Sequence, residues 1–108
     1  MLTDKWLRRQ YVGYNREYFH DTLPPKLPVR FGLIRDKKIA AVTMFMDGQA
    51  VEIIVDRSLR NLPRYVNILV LHEMAHVGIG NKEKQYHGPL WRKERKRLLD
   101  AGAFTRLI

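Results

Sequence analysis

The segment 63–77, PRYVNILVLHEMAHV, constrains this chain more than any other. Val66, Ile68, Leu69, Val70, Leu71, Met74, Ala75 and Val77 place apolar side chains on nearly every face of a helix. Pro63 suits its first position, where the missing N–H costs nothing, and Gly78 and Gly80 end it. A helix that is apolar all round has to be buried, so the remaining elements must wrap it. A chain of 108 residues has room for one such core, which reads as a single domain over 1–108.

Two histidines and a glutamate interrupt this apolar helix as His72-Glu73-Met74-Ala75-His76. Histidines at i and i+4 project from one face, one turn apart, and their imidazoles can grip one metal ion. Glu73 lies about 100° further round, beside the metal, where it can take a proton from water activated by that metal. Zinc is the expected ion, since it makes hydroxide available near neutral pH and polarises a carbonyl under attack. H-E-x-x-H fixes only three residues, and on a polar helix it would read as a solvated face. Here, burying these three groups without partners would cost several kcal/mol, a conflict that a shared metal removes.

The composition narrows the rest of the site. There is no cysteine, so thiolate zinc sites, iron–sulfur clusters, disulfides and cysteine nucleophiles are excluded, and any metal rests on imidazole and carboxylate. A catalytic zinc needs a third protein ligand and an open fourth position. Lys82 stands six residues after His76, where a metzincin has histidine, so the chain is not of that type. His87 lies across a loop with Gly78, Gly80, Asn81 and Gln85, just before Gly88-Pro89, where a bend back to the metal is easy. Glu94 is the rival third ligand, but its strongly basic surroundings account for it as an ion-pair partner. His20 reads as a cap or surface residue, and Tyr86, next to His87, is placed to donate to an oxyanion.

The flanking segments supply a frame. Thr3 is an N-cap for an amphipathic helix carrying Trp6, Leu7, Tyr11, Tyr14 and Tyr18, which ends before Pro24-Pro25. Alternation in Val29-Arg30-Phe31-Gly32-Leu33, an apolar run over 39–46, the turn dipeptide Asp47-Gly48 and a return over 49–55 predict a small antiparallel sheet of about three strands. In that return Val51, Ile53 and Val55 share one face. Pro89 starts a last helix with Leu90, Trp91, Leu98 and Leu99, closed by Gly102. The fold class is α+β.

Three stretches together resemble the SprT-like family of zinc metalloproteases. They are Tyr14-Asn15-Arg16-Glu17-Tyr18-Phe19 followed by Leu23-Pro24, then Leu71-His72-Glu73-Met74-Ala75-His76, and finally His87-Gly88-Pro89-Leu90-Trp91. The resemblance implies a minimal zincin-like fold in which His72, His76 and His87 hold Zn2+ and Glu73 is the catalytic base. It implies a protein or peptide substrate, with DNA-associated proteins among those expected. Many members of the family carry a cysteine zinc ribbon after this domain; with the chain ending at Ile108 and no cysteine, that module is expected to be absent.

Twenty Lys and Arg against eleven Asp and Glu leave a net charge of +9, which points to a polyanion. Arg92, Lys93, Arg95, Lys96 and Arg97 form the densest run, and Arg8, Arg9, Lys37, Lys38, Arg57, Arg60, Lys82 and Lys84 add to it. A solvated helix face is the plain explanation. The alternative is phosphate contact with DNA, independent of base sequence and sensitive to salt. A second function follows from it: a nucleic-acid-binding accessory protein whose zinc is structural or vestigial. The polar N-terminus has no apolar leader, and no run reaches the roughly 18 residues that span a bilayer, so a cytoplasmic monomer without membrane contact is expected.

Overall fold

The computed structural model describes residues 1–80 and 87–104. Its elements run α1 (Asp4–Phe19), β1 (Val29–Gly32), β2 (Ala41–Met46), β3 (Gln49–Asp56), a 3-10 turn (Arg57–Leu59), α2 (Pro63–Ile79) and α3 (Pro89–Asp100). This is an α+β fold with a helix at each end and a three-stranded sheet between them.

Helix α1 starts where Thr3 accepts the Trp6 amide on its hydroxyl at 3.1 Å, and stops at His20, which adopts a left-handed φ of 53°. Its buried stripe is Leu7, Tyr11, Asn15 and Phe19, while Trp6, Tyr14 and Tyr18 flank it half-buried. Asn15 is therefore a polar member of a core stripe. Its amide group donates to the Leu23 carbonyl and its oxygen accepts the Leu23 amide, both at 3.1 Å, so the turn after α1 is tied back onto the helix. The Arg8 guanidinium donates to the Leu27 and Pro25 carbonyls and fastens the following loop to the same helix.

The sheet corrects one expectation: it is mixed, not wholly antiparallel. Its order is β1-β3-β2, with β1 parallel to β3 and only β2–β3 antiparallel. An alternating strand buries the same face whichever way its neighbour runs, so periodicity carries no information on direction. The connection 33–40 takes the chain across β3 and leaves β2 at an edge. Asp47 and Gly48 turn the β2–β3 hairpin with φ of 51° and 78°, the left-handed pair that suits the twist of such hairpins. A register shift between Met44 and Phe45 follows in the outer half of β2.

Helix α2 runs two residues past the expected end at Val77, with Gly78 inside it and Gly80, at a φ of 64°, as its cap. Val66, Val70, Leu71, Met74, Ala75 and Val77 are buried against α1, the sheet and α3. Together with Leu7, Tyr11, Ile53, Val55, Trp91 and Leu98 they form one continuous core. Helix α3 closes as the Gly102 and Ala103 amides fold back onto the Leu99 and Leu98 carbonyls. Among the described residues, no helix is long and apolar enough to cross a membrane.

Candidate metal centre

Because α2 is pinned on several sides, its polar residues have fixed surroundings. His72 and His76, one turn apart, stand with ring centroids 5.1 Å apart. His87 comes in from the start of α3 on a left-handed backbone turn, φ 55°, and its centroid lies 4.9 Å from His72 and 5.1 Å from His76. Histidine visits this conformation more readily than most side chains, and here the turn brings its ring against those of α2. One ligand nitrogen from each of the three rings falls within 4.8 Å of the others, and the Nε2 atoms of His72 and His87 are 3.1 Å apart.

The donor set fits zinc. Nitrogens each about 2.0–2.1 Å from a tetrahedral ion stand about 3.3–3.4 Å apart, close to the His72–His87 separation. Metal binding also needs neutral imidazoles. Burial, with smaller contributions from His87 and Arg95, pushes His72 down to about 4. Burial and the two neighbouring histidines do the same to His76, down to about 4. His87 is lowered by burial and by Arg95. His72 and His76 are thus neutral imidazoles at neutral pH, each with a ring nitrogen to offer a metal, and His87 is shifted in the same direction.

Trp91 supports the cluster from below. Its ring centroid is 4.1 Å from His87, 4.9 Å from His72 and 5.6 Å from His76, and the Arg95 guanidinium lies 5.4 Å from the same ring. The aromatic residue of the His-Gly-Pro-Leu-Trp stretch is thereby a packing platform for all three imidazoles.

Glu73 is buried beside the cluster, with one oxygen, Oε2, 3.9 Å from His72 Nε2. The other, Oε1, accepts the Thr43 hydroxyl of β2 at 2.8 Å. Burial holds the Glu73 carboxyl above its ordinary value, and the Thr43 hydrogen bond offsets only part of that rise. Thr43 is the residue that sequence reasoning missed: a threonine inside a strand-forming apolar run is what β propensity alone would place there.

The other candidates fall elsewhere. Glu94 accepts the Arg97 guanidinium, with the Nε contact at 3.0 Å, as an ion-pair partner inside α3, and it is not in the histidine cluster. His20 caps α1. Tyr86, Lys82 and Lys84 lie outside the described residues. Within the basic run, Arg97 also donates to the Tyr18 carbonyl at 2.7 Å and stands 5.1 Å from the Phe19 ring, tying α3 to α1. Lys96 pairs with Asp100 at 2.9 Å and Arg95 covers Trp91. Arg92 and Lys93 are exposed. The run is therefore in part a structural tie.

Neither a scan against protein-family models nor a search of curated proteins finds a match for this chain.

Proposed function

We propose that the chain is a zinc-dependent endopeptidase of the SprT-like type. One observation carries this reading: three imidazoles, each with a ligand nitrogen within 4.8 Å of the others, stand beside a buried Glu73 whose Oε2 lies 3.9 Å from His72 Nε2. A buried carboxylate beside a metal acts either as an outer support of its ligands or as a base, and Oε2, turned toward the histidines while Thr43 holds Oε1, suits the base.

Zinc, held by His72, His76 and His87, would supply Lewis acidity toward the scissile carbonyl and toward the attacking water. Glu73 does the proton work. With Oε1 held by Thr43, Oε2 is the oxygen left toward the histidines, and it takes the proton of the water that attacks the carbonyl carbon. As the C–N bond breaks, Glu73 returns that proton to the departing amine and is regenerated as carboxylate. The raised affinity of a buried carboxyl for protons suits both halves of this exchange.

The substrate is read as an extended peptide lying along β2. That strand is an edge of the sheet, so one row of its backbone groups is not taken up by β3, and Thr43 on it reaches Glu73. The test is hydrolysis of a denatured protein by the purified chain. Loss on chelation and recovery with added zinc support the proposal; no cleavage by the zinc-loaded chain, with or without single-stranded DNA, sinks it.

A second reading has its own support in the exposed Arg92 and Lys93 and the net charge of +9. It makes the chain a sequence-independent DNA binder with a structural or vestigial zinc. Binding that weakens steeply with salt supports it, and insensitivity to salt removes it.

A further inference from the structure

We propose that the pocket between α2 and α3 beside His72 binds an apolar side chain whose neighbouring carboxylate is held by Arg95, the chemistry of a peptide's carboxyl-terminal residue. The pocket encloses about 400 Å³, within the range of small-molecule sites. Ile68 and Ala75 of α2 and Leu98, Leu99 and Trp91 of α3 make its walls apolar, and His72 reaches it from the metal cluster. Space and lining together suit a leucine- or phenylalanine-sized group.

The charge at the wall selects the companion group. Arg97 and Lys96 on the same helix have carboxylate partners, Glu94 and Asp100, and Arg30 has Glu52. Arg95 forms no ion pair among the described residues; its guanidinium lies against Trp91 and lines the pocket. With its Cζ 5.4 Å from the Trp91 ring, the guanidinium can present paired N–H groups to a planar oxygen pair, which a carboxylate offers and an amide does not. An apolar cavity bounded by one such cation is complementary to an amphiphilic acid. The pocket meets the metal cluster at His72, so a terminal residue held there keeps the preceding peptide bond close to the histidines. That placement rests on the zinc peptidase reading above and adds to internal cleavage the release of a carboxyl-terminal residue; the binding itself does not depend on it.

The test is an NMR titration of the purified chain with N-acetylleucine and with N-acetylleucinamide, followed at the Trp91 indole and the Leu98 and Leu99 methyl signals. Saturable shifts are expected there, with the acid binding roughly tenfold tighter than the amide. Arg95→Met should erase that difference while keeping the amide's affinity, and Leu99→Trp, at an exposed rim position, should weaken both. No saturable shift, equal binding of acid and amide, or a preference for the acid that survives in Arg95→Met overturns the proposal; the last result would mean that the acid ligates the metal instead. Binding without any proteolysis contradicts the endopeptidase reading alone, and proteolysis without binding contradicts the pocket alone.

Discussion

Thr43 on strand β2 donates its hydroxyl proton to Glu73 Oε1 on helix α2 at 2.8 Å, across 30 residues of sequence. This bond links the edge strand to the buried carboxylate and leaves Oε2 toward the histidines. Thr43→Val keeps the strand's shape and removes the donor. If Glu73 is the base proposed above, kcat for peptide hydrolysis should fall about tenfold with KM little changed, since the variant loses the orientation of Glu73 and keeps the edge of β2. Thr43→Ser should restore most of the rate. A wild-type kcat in the valine variant, from steady-state kinetics, would assign Thr43 no part in positioning Glu73.

Asn15 closes both of its amide hydrogen bonds on the Leu23 backbone inside the core. Asn15→Ala strands a buried N–H and a buried C=O, at a cost of about 2–4 kcal/mol. For a domain of this size that lowers Tm by about 10–20 °C, measurable by calorimetry. A shift of only a degree or two would show that the turn after α1 finds other partners.

The Asp56 carboxylate accepts hydrogen bonds from the Ser58 hydroxyl and from the Ser58 and Ile34 amides. The Ser58 hydroxyl first, and the Ile34 amide next, hold it below the ordinary carboxylate value. A group depressed in the folded state contributes stability in full above its unfolded value, about 3.9, and loses it as pH falls through the folded value. Urea midpoints should therefore separate wild type from Asp56→Asn at pH 7, with the gap closing below about pH 4. A gap independent of pH would contradict this assignment.

His87 supplies the third imidazole from outside helix α2. Removing even an indirect support of a metal ligand costs 10–100-fold in affinity, so His87→Ala should weaken zinc binding by more than about a hundredfold. Competition with a chromophoric chelator measures this. Full zinc occupancy in the variant would show that another group is the third ligand.

Much of this arrangement is legible in the chain. The periodicity of 63–77, Pro63, the hairpin dipeptide Asp47-Gly48 and the spacing of His72 and His76 each report a local geometry, and each local geometry is present. The approach of His87 was readable in so far as Gly88-Pro89 starts a new helix directly after it, where a bend back toward α2 is easy. The parallel pairing of β1 was not readable, since it depends on where the connection 33–40 runs. Nor was the Thr43–Glu73 bond, which exists only once β2 packs on α2. Arg97 shows the converse. In sequence it is one cation of a dense basic run, and in the fold it pairs with Glu94 of its own helix and clamps α3 to the Tyr18 carbonyl of α1.

The central claim is that Glu73 is the base of a zinc peptide hydrolase and not a support for its metal. Peptide hydrolysis and zinc stoichiometry measured on the same preparations of wild type and Glu73→Gln test it most directly. The prediction is one zinc per chain in both proteins, with the hydrolysis rate of the variant reduced by at least a hundredfold. A variant that binds zinc and still cuts peptide at the wild-type rate would contradict it.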